Sequence, residues 1–331
     1  MFTALSRTGR RTLLAAIAAL VALGPALWWL VSTGGEPTPG GRVTLATGVP
    51  TGVYARYGEL LKQDLAHDMP EVDLRLARSE GSIDNLRQLV AGRAQFTIAT
   101  ADAVATYRGR GEPGADRLRA CARLYDDYIQ LVVPKKSAVR STKDLRRLRV
   151  GVGADGSGVQ LITRRLLTAA GLDFDKDITP VRVGIDRMPK LLEQGRLDAF
   201  FWSGGLPTTA VQLLAQRFPV RLVQLGDLAE GLHRQGERTR YYRAAVMPAD
   251  AYPLVQDGQA VKTIAVANLL VTLDRADAAL TQGITRTVID SRDRIGREVH
   301  AAQKVDLRTA VFTDPLRLHE GARRYYVSVK P

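Results

Sequence analysis

From Arg42 onward the apolar positions fall into short extended runs that alternate with stretches of helical spacing. VTLATG (43–48) reads as a short buried strand, and TGVYARYGELLKQDLA (51–66) as a turn running into a helix. EVDLRLA alternates apolar residues at Val72, Leu74 and Leu76, the period-two signature of a strand. SIDNLRQLV is a helix stopped by Gly92, and QFTIAT a third strand that ends in small residues. The order then repeats. LRVGVG is a strand, SGVQLITRRLLTAA a helix ended by Gly171, ITPVRVG a strand, MPKLLEQ a helix stopped by Gly195, and LDAFFW a strand running into SGG.

The ends of the two units can be laid side by side. LRQLVAGRAQFTIATAD and PKLLEQGRLDAFFWSGG both carry leucine, then Gly-Arg, then an apolar strand, then small residues. Glycines at these places fit helix C-caps, where one left-handed residue ends the helix. Strand-helix-strand-helix-strand is the pattern of a parallel sheet covered by helices, so two units predict two α/β lobes. TIAVANLLVTL adds a further strand and the stretch from about Asp277 to Ala302 one long helix, both expected to return to the first lobe. The hinge is expected near LVVPKK (131–136), with a return crossing after Val220.

The N-terminus changes the picture of where these lobes reside. Arg7, Arg10 and Arg11 precede an uncharged run from Thr12 to Gly35, the pattern of an export segment whose basic end stays inside. Residues 12–33 approach the roughly 20 needed to cross a bilayer, and the small-residue cleavage candidates around Ser32 to Gly35 are poor. Residues 1–35 are therefore a cleaved signal peptide or an uncleaved membrane anchor, the length favouring the anchor. Residues 36–41 read as a tether, and the folded part is expected outside the cytoplasm, periplasmic in a cell with two membranes.

Composition excludes more than it assigns. The 331 residues are 45% hydrophobic and 24% charged, an ordinary globular balance, and exceed what one compact core usually holds. The single cysteine, Cys121, excludes an intramolecular disulfide and reads as a buried, inert thiol. The formal charge of +13 is spread along the chain with acids between the bases, and no basic, aromatic-interleaved block suggests nucleic acid. His67, His233, His300 and His319 do not pair at metal-ligand spacing. Neither Ser157 nor Ser203 sits in G-x-S-x-G. No enzyme, metal or cofactor is expected. Asp126 and Asp127 between Tyr125 and Tyr128 read as an acidic pair in a cleft or, more ordinarily, as a solvated strand or helix end.

In open α/β sheets ligands bind at the carboxyl ends of strands. Four stretches fall there: GVPTGVY (48–54), SEGSIDN (79–85), GADGSGVQ (153–160) and SGGLPTT (203–209). All are rich in Gly, Ser and Thr, and the helix that follows a loop adds the positive end of its dipole. Together these make a receptor for a carboxylate or phosphate that needs no lysine; each taken singly is equally a helix cap. Gly151, Gly153 and Gly156 match the dinucleotide fingerprint, but the acid at the end of the next strand is Asp186, 30 residues beyond Gly156 rather than about 20 from the glycine loop.

Taken in order, TGVPTGVYARYGELL, EGSIDNLRQLVAGRAQFTIATAD, LVVPKKSAVRSTKDLRRLRVGVGADGSG, LLTAAGLDFDKDITPVRVG, GRLDAFFWSGGLPT, YYRAAVMPADAY and HEGARRYY resemble the TAXI family, the solute receptors of one branch of tripartite ATP-independent periplasmic (TRAP) transporters. The resemblance implies an α/β, two-lobed, periplasmic-binding-protein-like (Venus flytrap) fold behind the N-terminal apolar helix. Its boundaries would be residues 42–134 for the first part of lobe 1, 135–240 for lobe 2 and 241–331 for the part returning to lobe 1. It implies a small anionic solute (glutamate or a dicarboxylate) captured by lobe closure and delivered to a membrane-embedded, ion-gradient-driven TRAP subunit. Ligand contacts carried over are Thr51, Gly52, Tyr54, Ser82, Asn85, Asp102, Ser157, Gly158, Ser203, Gly204 and Pro207. Two departures bear on the ligand: Ala55 and Arg56 stand where the family often has Tyr and Pro, and Thr100-Ala101-Asp102 replaces its Gln-x-Asp. Arg56 is then either a carboxylate clamp or a solvent-facing helix residue. The alternatives are a membrane-tethered sensor or interaction protein with no transport role, and an extracytoplasmic dinucleotide-dependent oxidoreductase.

Overall fold

The structure is a computed structural model that describes residues 39–299 and 306–330. The expected signal or anchor (1–35, with 12–33 as its apolar part) and residues 36–38 of the tether lie outside the described residues.

The first repeat unit forms β1 (Gly41–Gly48), α1 (Val53–Asp68), β2 (Val72–Arg78), α2 (Ser82–Val90) and β3 (Phe96–Thr100), followed by α3 (Ala101–Gly109). A long strand, β4 (Leu118–Pro134), leads to the second unit: β5 (Arg149–Gly151), α4 (Gly158–Ala169), β6 (Thr179–Val181), α5 (Met188–Glu193), β7 (Ala199–Gly204) and α6 (Thr209–Arg217). Then come β8 (Val220–Val223), α7 (Ala229–His233), β9 (Tyr242–Met247), α8 (Pro253–Gln256) and a second long strand, β10 (Val261–Leu273). Helices α9 (Ala278–Asp290), α10 (Arg292–Glu298), α11 (Leu307–Ala310) and α12 (Glu320–Ser328) close the chain.

Within each unit the strands are parallel, as the alternation with helices requires: β1 lies between β2 and β3, and β5 between β6 and β7. The expected helix stops hold, with Gly92 (φ +73°) and Gly195 (φ +67°) both left-handed just past α2 and α5. The sheet as a whole is mixed. Its order is β2-β1-β3-β10-β4-β7-β5-β6, and β10 runs antiparallel to β3, β4 and β9, as β4 does to β7 and β8. Neighbouring β4 and β10 therefore pass through both units.

The buried apolar residues divide along those two strands. One cluster runs from Tyr128 to Val266 and gathers β5, β7, α4 and α5; two others draw on residues before Asp126 and from Leu269 onward. The change of core falls at Asp126–Tyr128 on β4 and at Ala267–Asn268 on β10. The expected hinge at 131–136 thus sits inside the second lobe's sheet, where Leu131–Pro134 already pair with β8. The crossing is a pair of strands rather than loops. The long C-terminal helix is also interrupted: α9 ends at Asp290, and Ser291 caps both α9 and α10.

Candidate functional site

The carboxyl ends of β1, β3, β5 and β7 converge where the two cores meet. There the chain leaves a cavity of about 60 Å³ lined from both lobes. A single water needs about 10–15 Å³ measured in this way, so the cavity has room for more than one water-sized group. Three helices begin at its wall. The N-cap residues of α1 and α2 are Gly52 and Gly81, neither able to supply a side-chain cap, and both line the cavity, so the positive dipole ends of the two helices lie at its wall. Helix α4 begins at Ser157, whose Oγ accepts from Gln160 N (3.0 Å) and donates to Ala154 O (2.7 Å).

The lobes touch over the cavity through backbone. Gly81 is left-handed (φ +122°), and a Cβ there would meet Ser157 Cα and Cβ at 3.4 Å; a Cβ on Gly158 would meet Ser82 Oγ at 3.1 Å. Asp84 N donates to Gly156 O across the same seam (3.2 Å). Only residues without side chains bring the two helix starts this close.

The inner wall is a chain of hydrogen bonds through both crossing strands. The Tyr54 hydroxyl donates to Asn268 Oδ1 (2.5 Å) and lies 3.2 Å from Ser82 Oγ. Asn268 Nδ2 donates to Asp127 Oδ1 (2.7 Å), and the Ser203 hydroxyl donates to Asp127 Oδ2 (3.0 Å). Asp127 is 2% exposed. Burial pushes its carboxyl up to about 7 against the two hydrogen bonds that favour the anion, and Asp126 and Asp102 add repulsion. Burial likewise holds the Tyr54 phenol well above its usual range, with Asp127 adding to the effect. Trp202 supplies an apolar wall, its Nε1 turned to Thr208 Oγ1 (3.1 Å). The lining includes no Lys, Arg or His; its acids are Asp127 and, at the exposed rim, Glu80.

Of the residues carried over by resemblance, Gly52, Tyr54, Ser82, Ser157, Gly158, Ser203 and Gly204 line the cavity. Thr51 is exposed beside it, and Pro207 lies past the lining. Asn85 is buried behind the wall, accepting from the Ser79 hydroxyl (2.5 Å) and donating to Ile98 O (2.8 Å). Asp102 serves another contact between the lobes: it accepts from the Tyr242 hydroxyl (2.5 Å) and from Arg165 Nη1 (3.4 Å), while Arg165 Nη2 reaches Thr106 Oγ1 (2.7 Å). Arg56 faces solvent in ion pairs with Glu59 and Glu298. Asp186, the acid weighed for a dinucleotide, is exposed and outside the lining. Sequence reasoning did not place Asn268 or Trp202 in the site, offered Asp127 only as half of an acidic pair in a cleft or at a solvated strand or helix end, and met Thr100 only as a departure from the family's Gln-x-Asp. The signal for Asp127 was its pairing with Asp126: in a strand neighbours point to opposite faces, so Asp126 turns outward to Arg123 (2.8 Å) and Arg243 (2.5 Å) while Asp127 turns in.

The NMT1-like family matches residues 45–328 of the chain. Among solved structures, a protein from Bordetella bronchiseptica RB50 aligns at 18% identity and TM-score 0.52, over 88% of this chain and 90% of that one. The periplasmic aliphatic sulphonate binding protein of Escherichia coli aligns at 15% identity and TM-score 0.48, over 88% and 84%. A putative L-cystine ABC transporter protein of Listeria monocytogenes aligns at 14% and 0.49, over 79% and 97%. At 18% identity the likeness to the Bordetella protein is one of fold. The architecture, two α/β lobes on two shared strands with a cavity between them, is the two-lobed periplasmic-binding-protein-like arrangement expected from the sequence.

Proposed function

The chain belongs to the NMT1-like family, and from that membership and the geometry of the cleft we propose that it is an extracytoplasmic receptor for a small organic acid. The observation that carries this reading is a cavity lined from both lobes at the strand ends, where the N-terminal ends of α1 and α2, with glycine at the cap, lie at the wall and their dipoles favour an anion. The lobes would close on the solute by twisting about β4 and β10, the hinge-type motion of receptors that enclose their ligand. Binding would need no covalent step, metal or cofactor. Residues 12–33 would hold the receptor at the membrane's outer face. Delivery would be to a TRAP-type membrane subunit, a partner supported by the order of the TAXI-like segments. Solute uptake that stops when ion gradients are dissipated, and continues when ATP alone is depleted, is the result expected; the reverse would assign an ATP-driven partner.

The direct test is thermal unfolding of the protein against amino acids, dicarboxylates, 2-oxo acids, sugars and nicotinamide dinucleotides. A ligand at 100 times its dissociation constant adds about 2.7 kcal/mol, several degrees for a chain of this size. A shift with an acid supports the receptor. A shift with the dinucleotide alone would replace it by the oxidoreductase, and no shift at all would leave the tethered interaction protein.

A further inference from the structure

The two sides of the cleft are joined unequally. On the side of α2 and α3 the lobes share polar contacts from the rim to the crossing strands. At the rim Asp84 N donates to Gly156 O (3.2 Å). Deeper, Asp102 accepts from the Tyr242 hydroxyl (2.5 Å) and from Arg165 Nη1 (3.4 Å), Arg165 Nη2 donates to Thr106 Oγ1 (2.7 Å), and Arg238 Nη2 donates to Gly109 O (2.7 Å). Asp102, Thr106 and Tyr242 are each at most 2% exposed. None of these residues lines the cavity, so this junction does not depend on what the cavity holds. On the other side the loop before α1 faces the loop before α5, and the contact is apolar: a Cβ on Gly184 would stand 3.7 Å from Val49 Cγ1. Among the described residues no hydrogen bond or ion pair joins the lobes there.

Distance from the crossing decides which side gives. Tyr242 pairs with Val266, one residue from Ala267–Asn268. So near the pivot a turn of the lobes opens only a narrow gap. A buried carboxylate and phenol parted by such a gap would lose their partners without gaining full hydration, which is costly. Val49 follows β1 and Gly184 follows β6, the outer strand of lobe 2, so the same turn moves them further. Parting them breaks no polar contact and wets only a small apolar area. We propose that the cleft opens on one side only: Asp102, Arg165 and Tyr242 stay joined as a fulcrum while Val49 parts from Gly184, and the solute enters between those two loops. The entrance rests on the receptor reading. Both gate residues line the cavity, and Gly52 N donates to Val49 O (2.9 Å), so the opening leads directly to the N-terminus of α1.

The experiment uses the full chain in detergent micelles. Spin labels are placed on Thr51→Cys with Arg187→Cys beside the gate, or on Arg110→Cys with Arg234→Cys beside the fulcrum, all exposed positions; Cys121 is fully buried and stays unlabelled. Pulsed electron paramagnetic resonance measures each distance with and without Gly184→Trp, a wedge against Val49. The wedge is expected to lengthen the gate distance by more than about 2 Å and to leave the fulcrum distance within about 1 Å. Thr106→Val, or Arg165→Met where that protein folds, frees the fulcrum, and the wedge should then lengthen both distances. A fulcrum distance that grows as much as the gate distance in the wedged protein, or a gate distance that does not change, overturns one-sided opening. Solute entry is read separately, by calorimetry of Val49→Cys/Gly184→Cys with L-glutamate, succinate and 2-oxoglutarate. A solute bound by the reduced protein should be lost to the oxidised protein and regained on adding dithiothreitol. Undiminished binding after oxidation removes the gate and leaves the receptor standing. If the distances change as expected but no amino acid, dicarboxylate or 2-oxo acid binds the wild type, the receptor reading falls and takes the entrance with it, while the one-sided motion stands.

Discussion

Replacing Asp127 by asparagine should make the protein more stable at pH 8, by an amount that vanishes as the pH falls. The side chain keeps its shape: in Asp127→Asn the amide oxygen still accepts from Asn268 Nδ2, and the Ser203 hydroxyl turns to accept from the new amide N–H. What changes is the charge. In the folded chain the carboxyl is raised from 3.8 to about 7, and at 1.36 kcal/mol per pH unit this corresponds to about 4 kcal/mol lost on burying the anion. The sign follows from linkage. Between 3.8 and about 7 the folded state holds a proton that the unfolded chain has released, so stability rises as pH falls through that window and the full penalty applies above it. Asparagine removes the penalty at every pH. The variant should exceed the wild type by up to about 4 kcal/mol at pH 8, roughly 8 °C in Tm at about 2 °C per kcal/mol, and match it within about 1 kcal/mol at pH 4. His319, whose burial lowers its pKa, weakens both proteins below its ordinary range, so its effect cancels in the difference. Denaturant unfolding of both proteins at unit steps from pH 4 to pH 8 measures this directly. A difference that does not vary with pH, or a variant less stable at pH 8, would refute the reasoning that the charge is buried without a counterion. A variant that folds better and binds worse would mark the residue as kept for its ligand.

Other outcomes follow from the same contacts. Gly158→Val places a branched side chain against Ser82 across the seam, so affinity should fall at least tenfold and X-ray scattering should show no contraction on adding ligand. Arg165→Met removes the cation from buried Asp102 and should cost about 3–5 kcal/mol in denaturant unfolding, with Asp102→Asn in the same protein recovering much of it. Cys121 is fully buried with its thiol pushed up by desolvation, so its modification by a maleimide should follow the rate of opening and slow when ligand stabilises the closed form.

The repeated units were legible because each satisfies local rules at once: helical or alternating spacing, a left-handed glycine after the helix, small residues after the strand. The binding loops were legible for the same reason, since a glycine-rich turn entering a helix is a local signal. The crossing was not. β4 carries Arg119, Arg123, Asp126 and Asp127 among its apolar residues, and its faces change surroundings midway, so no single period describes it. Asp127 and Asn268 lie 141 residues apart and meet only because β10 inserts beside β4, which no local pattern announces. Asn85 and Asp102 show the converse. Each is polar and near a strand end, but the fold turns one into the wall behind the cavity and the other to Arg165 and Tyr242.

The position of β10 between β3 and β4 also sets an order of events during synthesis. Neither lobe can complete its sheet until residues 261–273 have been made, because that strand is central to the first lobe and lies between β4 and β9 in the second. A nascent chain ending before Val261 has two unfinished sheets with open edges, so neither lobe reaches its native sheet until β10 has been made. Each lobe therefore acquires its native sheet only together with the other, so a truncation anywhere before Val261 leaves both unfinished.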